Sequence, residues 1–280
     1  MSPDDPAPPV QPSGTDRAVV TVSALTRRFG PLVAVDRATL QVERGEMFGL
    51  IGPNGAGKST LIKMLTTLLP PSGGSARVAG FDIAAQQADV RRSIGYVPQL
   101  LSADGELTGY ENLLLSARLY LLPRQQRERR IDEALATMGL QDVRDRLVGT
   151  YSGGMIRRLE IAQSALHRPQ VIFMDEPTIG LDPTARHAVW GHVRGLREQY
   201  GTSIVLTTHQ MEEADTLCDR IGVIHAGRVV AVGTPRELKA RVGAGATLDD
   251  VFASLAGAVL DTRGDYRHVR EERRGVREHG

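Results

Sequence analysis

The chain has 280 residues, with 34 basic and 33 acidic side chains and a formal net charge of +1. So even a balance leaves no electrostatic footprint for nucleic acid, and no nucleic-acid partner is expected. No apolar run approaches the ~20 residues that span a bilayer, and the single cysteine, Cys218, leaves no internal disulfide and fits a reducing compartment.

Residues 1–16, MSPDDPAPPVQPSGTD, are acidic and proline-rich, unlike a secretory leader. They read as part of a disordered tail that ends at 17. Residues 19–22 and 40–42 have strand character, Gly45-Glu46 is a turn, and 47–51 is a short apolar run of the buried-strand kind. Residues 58–69 read as a helix stopped by Pro70-Pro71. Strands are predicted at 75–78 and 94–97. The character then changes: 110–122, 124–138 and 154–167 all look helical, so a helical subdomain is expected at about 100–168. Alternation returns with a strand at 171–174, a helix at 183–200, a strand at 204–207 and a helix at 210–217. A hairpin follows, 221–225 and 228–232 around Ala226-Gly227. Such alternation argues for an α/β fold, a mainly parallel sheet with helices on both faces. Residues 241–280 form a short C-terminal extension. Within it 247–256 (TLDDVFASLA) is an amphipathic helix, and the last stretch, six arginines among five acids, reads as a solvated, partly disordered end.

Three motifs carry chemistry. The first, GPNGAGKS at 52–59, fits G-x-x-x-x-G-K-[ST] and stands between an apolar strand and a helix, the context this phosphate loop requires. The loop runs Gly52, Pro53, Asn54, Gly55, Ala56 and Gly57, and its glycines let the backbone bend so that successive N–H groups surround the β- and γ-phosphates. Lys58 adds a compact positive charge, Ser59 a hydroxyl for Mg²⁺, and Thr60 a donor near the α-phosphate. Without those flanks the same residues would make an ordinary Gly-rich turn. The second motif, VIFMDEP, is a buried strand ending in two carboxylates. Ligands of doubly wound sheets sit at such strand ends. Asp175 is predicted to hold Mg²⁺, through water, and Glu176 to act on the attacking water as general base or positioner. The third, YSGGM at 151–155, opens a helix with Ser152 and two glycines. It is either a second anion site or a routine helix N-cap.

Taken in order, GPNGAGKST, SGGM, FMDEP, GLDP and TTH make the stretch from 19 to 238 resemble the ATPase subunit of an ABC transporter. The resemblance implies a P-loop NTPase core over 18–240, with a mainly parallel sheet, an antiparallel β subdomain and the inserted helical subdomain. It implies ATP and Mg²⁺ as ligands. It also implies head-to-tail pairing with a second ATPase subunit, most simply a copy of itself, in which Ser152, Gly153 and Gly154 complete the partner's site. By position, Phe29 matches the aromatic that stacks on adenine. Gln99 matches the glutamine that senses the γ-phosphate and Mg²⁺ and faces the membrane subunit. Asp182 matches the aspartate that crosses the dimer interface, and His209 the histidine that contacts the γ-phosphate, catalytic together with Glu176 and Lys58. One departure is Tyr151-Ser-Gly-Gly-Met155 where the family usually has Leu-Ser-Gly-Gly-Gln; methionine offers no amide hydrogen bonds. YSGGM and the C-terminal segment resemble the daunorubicin-resistance branch of ABC-2-type exporters. That implies a drug, antibiotic or lipid-like substrate, separate ABC-2-type permease subunits, and a place on the inner face of the membrane through them. A soluble ABC-type ATPase working on ribosomes or DNA is the alternative, though such proteins carry tandem ATPase domains or a long coiled-coil insert. A nucleotide kinase or GTPase switch would leave YSGGM and TTH unexplained.

Overall fold

The computed structural model describes residues 17–263, and within 256–263 the backbone only. The predicted N-terminal tail, apart from Arg17, and the arginine-rich end from 264 lie outside the described residues. In chain order the elements are β1 (Ala18–Phe29), β2 (Leu32–Glu43), β3 (Met47–Ile51), α1 (Lys58–Leu65), β4 (Gly73–Val78), β5 (Phe81–Asp82), α2 (Gln87–Ser93), β6 (Ile94–Val97), α3 (Gly109–Leu119), α4 (Arg124–Thr137), α5 (Gly153–Ala165), β7 (Val171–Asp175), α6 (Pro183–Tyr200), β8 (Ser203–Thr208), α7 (Met211–Leu217), β9 (Arg220–His225), β10 (Arg228–Gly233), α8 (Pro235–Ala240) and α9 (Leu248–Arg263).

Two sheets organise them. One is four-stranded and antiparallel, in the order β2-β1-β4-β5. The other is six-stranded, in the order β10-β9-β3-β8-β7-β6, parallel except for the β9–β10 hairpin at its edge. The parallel strands read as unbroken apolar runs because both faces are covered. In β7, Val171 and Phe173 enter a core shared with α1 and the antiparallel sheet, while Ile172 and Met174 enter a core shared with α3, α4, α5 and α6. In β3, Phe48 and Leu50 go one way and Met47 and Ile51 the other. The helices α3 to α5 therefore bury their apolar sides in the same continuous core as the sheet.

Several boundaries differ from the sequence expectation. β1 and β2 are 12 residues each, far longer than the 19–22 and 40–42 predicted. Their pairing carries bulges, with Ala24 and Arg37 at positive φ, and these break the alternation that marks a strand. Hydroxyls repair the ladder there: Thr39 Oγ1 accepts from the Ala24 amide at 3.0 Å and Thr26 Oγ1 from the Arg37 amide at 3.1 Å. Helix α1 stops at Leu65, before the prolines. Thr67 adopts φ 61°, and the amides of Leu68 and Leu69 both return to the Lys63 carbonyl, closing the helix in a left-handed turn. β5 and α2, both short, were not predicted. Cys218 is buried at the end of α7, as expected for a small apolar residue.

Candidate functional site

The carboxyl ends of β3, β7, β8 and β6 lie side by side, because the parallel register pairs Ile51 with Thr208, Asp175 with Thr207, and Met174 with Val97. The loop 52–57, the pair Asp175-Glu176, His209 and Gln99 each follow one of these ends. Beside them lies a cavity of about 450 Å³ whose lining includes Phe29, Asn54, Lys58, Ser59, Gln99 and Glu176; Asp175 and His209 are not part of that lining. Gly55, Gly57 and Thr60 line it too, as do Leu32 and Ala34 from the β1–β2 hairpin. Phe29, at the end of β1, is 43% exposed and stands at the cavity mouth with the Arg27 guanidinium 4.6 Å from its ring centroid. That exposure suits a ring which stacks on a flat base.

The phosphate loop turns into α1 at Gly57, the N-cap, where φ is 103° and no side chain caps the helix. A Cβ at this position would run into the Ala34 carbonyl, so only glycine lets the loop lie against β2. The first amides of α1 thus face the cavity without a side-chain acceptor. Lys58 is 4% exposed, and its Nζ donates to the carbonyls of Gly52 at 2.8 Å and Pro53 at 3.1 Å. The same ammonium is 3.3 Å from Glu176 Oε1.

Asp175 accepts two hydroxyl bonds on Oδ1, from Ser59 at 2.9 Å and from Thr207 at 2.6 Å. This joins the phosphate loop to the ends of β7 and β8. Thr207 also accepts from the Glu176 amide at 2.9 Å, and its carbonyl takes the same amide at 3.1 Å. These bonds hold Glu176 in the left-handed region, at φ 48°, a conformation costly for a residue with a Cβ. Its carboxylate is buried, and Oε2 accepts no hydrogen bond although His209 Nδ1 is 3.2 Å away. An unpaired buried carboxylate oxygen at a strained position is poised for a group that enters the cavity. In β6, burial and then the Asp175 charge push the Tyr96 phenol up to about 12. The hard-oxygen pair Ser59 and Asp175 fits Mg²⁺, which takes few protein ligands and completes its shell with phosphate and water. Among the described residues no cluster of three or more His, Cys, Asp or Glu could hold a metal ion.

Ser152, Gly153, Gly154 and Asp182 do not line this cavity. Ser152 and Gly153 are exposed at the start of α5, and Ser152 caps that helix by accepting from the Met155 amide at 3.3 Å. The N-cap reading holds, and it leaves the neighbouring amides facing outward. Asp182 caps α6, accepting from the Ala185 amide at 2.9 Å. The two caps adjoin, since a Cβ on Gly154 would sit 3.0 Å from that of Ala185. The two departures at Tyr151 and Met155 have structural roles. Tyr151 is buried in the helical lobe and donates its hydroxyl to the Val143 carbonyl at 2.6 Å, while the Met155 side chain packs on the core.

Sequence reasoning missed Thr207, whose hydroxyl stations both carboxylates; its only signal is a threonine closing an apolar strand just before His209. It also missed Glu213 of α7, buried, whose Oε1 accepts from Thr178 Oγ1 at 2.8 Å and Trp190 Nε1 at 2.9 Å, tying α6 and α7 to the segment after Glu176.

Comparison with known proteins gives a consistent answer. Residues 35–179 match the ABC transporter family. The chain is 49% identical over 227 residues to the daunorubicin/doxorubicin resistance ATP-binding protein DrrA of Streptomyces peucetius, covering 81% of this chain and 68% of that protein. It is 36% identical to the linearmycin resistance ATP-binding protein LnrL of Bacillus subtilis, over 88% of this chain and 79% of that one. Among solved structures it is similar to an ATP-binding subunit of an ABC transporter, with a TM-score of 0.76 and 34% identity, covering 85% of this chain and 99% of that one.

Proposed function

The chain belongs to the ABC transporter ATPase family, whose characteristic activity is ATP hydrolysis, and on that premise we propose that it powers an ABC-2-type exporter as a dimer closed around two ATP molecules. The observation that carries this reading is the separation of the two glycine-rich helix starts. One opens into the chain's own cavity beside Lys58, Ser59, Asp175 and Glu176; the other is exposed and lines no part of it. ATP enters with its adenine on Phe29 and its phosphates on the 54–57 amides and Lys58. Ser59, Asp175 through water, and Gln99 would hold Mg²⁺, which when bound neutralises charge between the β- and γ-phosphates. Ser152, Gly153 and Gly154 of a second copy cover the γ-phosphate from the far side, with Asp182 beside them.

Water then attacks the γ-phosphorus in line with the departing ADP oxygen. Glu176 orients that water and accepts its proton, and His209 steadies the γ-phosphate. The strained backbone at Glu176 aims the carboxylate before substrate arrives, so no ordering is required at the moment of reaction. The phosphate charges are neutralised only when both halves close, which makes ATP part of the interface.

Among the described residues no helix is long and apolar enough to cross a membrane, and on this reading separate permease subunits supply the transport path. Exposed Leu100 and Leu101 beside Gln99, and exposed Leu115, Leu119 and Leu121 on and after α3, offer an apolar face for such a permease. On this reading the chain works on the inner face of the cell membrane. The names of its relatives favour a drug- or antibiotic-like cargo. The test is purification from membranes under mild detergent. An ABC-2-type permease should co-purify with a dimer of this chain, and Lys58→Ala should abolish tight ATP binding measured at equilibrium. Recovery as a monomer without any integral membrane protein, or unchanged ATP affinity in Lys58→Ala, overturns the reading.

A further inference from the structure

The loop that carries Gln99 is fastened to the helix that begins at Ser152 by two charges that water hardly reaches. Arg157 and Glu160, one turn apart on α5, are 2% and 3% exposed and pair at 2.9 Å. Arg157 grips the near end of the loop: Nη1 donates to the Pro98 carbonyl at 2.6 Å and Nη2 to the Gln99 carbonyl at 2.7 Å. Glu160 grips the far end. Its Oε1 accepts from the Ser102 hydroxyl at 3.1 Å, the Ala103 amide at 3.3 Å and the Ser102 amide. Both carboxylate oxygens and both terminal nitrogens are thereby committed.

Burying an ion pair is a poor way to gain stability, since well-packed apolar residues of similar volume do as well or better. What the pair adds is geometry. A planar guanidinium fork fixes two carbonyls relative to the helix that bears it, and the carboxylate fixes the chain where it leaves. The loop from 98 to 103 and the first turns of α5 are thus one body, with Gln99 at one end and Ser152–Gly153 at the other.

We propose that Arg157 and Glu160 are positioning residues that transmit the state of one ATP site to the other. When Gln99 shifts toward or away from the γ-phosphate in its own cavity, the clamp carries the Ser152 surface with it, and that surface belongs to the partner's chamber. The inference rests on the reading above of Gln99 and of the Ser152–Gly154 segment. Neither residue of the pair lines the cavity.

The experiment uses the full chain. Arg157→Met with Glu160→Met keeps apolar bulk and removes both charges. Hydrogen exchange of the 99–103 amides should quicken by about tenfold or more, a local opening within an otherwise folded protein. Equilibrium ATP affinity should stay within about twofold while turnover falls about tenfold, the split expected when an interaction acts after ground-state binding. Gln99→Ala should lower turnover in the parent yet add little in the double-Met background. Arg157→Lys, which keeps the charge but loses the fork, should fall between parent and double variant, and it is read by the same criteria if the double variant does not fold. Parental turnover in a folded variant whose loop exchanges faster overturns the proposal, and so does an equal Gln99→Ala loss in both backgrounds. If Gln99→Ala leaves the parent unaffected, the assignment of Gln99 fails, and the exchange data still decide whether the clamp exists.

Discussion

The helices α1 and α5 both begin at glycine-rich turns, yet what faces them is opposite. At α1 the cap is Gly57, no side chain caps the first turn, and Lys58, Ser59 and the Glu176 carboxylate line one cavity, with Asp175 bonded behind Ser59. At α5 the cap is Ser152, its side chain already bonds the helix, and the surface before it is open. The amide chemistry of the two starts is alike; the surroundings differ, and on the proposed reading that difference makes one a binding chamber and the other a lid for a partner's chamber. A site therefore cannot be recognised from a helix start alone.

The sharpest way to break this comparison is at the chamber. Glu176→Gln should keep ATP binding and lose turnover by about 10²–10⁴-fold, the range typical of a positioned base. Near-parental hydrolysis in that variant would mean the strained carboxylate serves something else. A mixing experiment probes the lid. Chains carrying Lys58→Ala and chains carrying Ser152→Phe are each expected to be inactive. Mixed, they form one chamber with both elements intact in each hybrid dimer, and turnover should recover to about a quarter of the parent by random pairing. No recovery at any mixing ratio would sink the reciprocal arrangement.

Smaller effects sharpen the contrast without touching either start. Tyr151→Phe removes one of two hydrogen bonds to the Val143 carbonyl, which keeps the Arg146 amide at 3.0 Å, and should cost about 0.5–1.5 kcal/mol in denaturant unfolding, with ATP affinity unchanged. His167, just after α5, stacks on Tyr120 at 3.7 Å and accepts burial that lowers its pKa to about 4 from 6.5. Between those values the unfolded chain binds a proton that the folded chain does not. Stability should therefore decline as pH falls from about 6.5 toward 4, and His167→Gln should flatten that part of the curve. An unchanged slope would show that other groups govern acid unfolding.

Much of this was legible in the sequence, for a definite reason. Buried parallel strands announce themselves as apolar runs, and the chemistry sits where those runs end, so Ser59, Asp175, Glu176 and His209 could be placed from order and flanks. The β1–β2 ribbon was not legible, because its bulges interrupt the two-residue rhythm and it carries the charged, exposed Arg28 and Arg37. Nor was the Arg157–Glu160 clamp. An arginine and a glutamate three apart on a helix look like a solvated pair, and only the packing of the loop over them reveals their burial. Thr207 was missed because a threonine at a strand end carries no sign of which carboxylate it will face.

The β9–β10 hairpin looks like the part of the molecule most forgiving of change, a tight turn near the end of the catalytic fold. Its Gly227 amide, however, donates to the Ala56 carbonyl at 3.0 Å, its carbonyl accepts from the Asp36 amide at 2.8 Å, and Arg228 grips Asp36. The turn is thus a strut under the phosphate loop, reached across about 170 residues of chain. An epitope or fluorescent reporter spliced in at Ala226 would prop that strut open and blunt ATP capture, whereas turns elsewhere on the surface would carry the same cargo harmlessly.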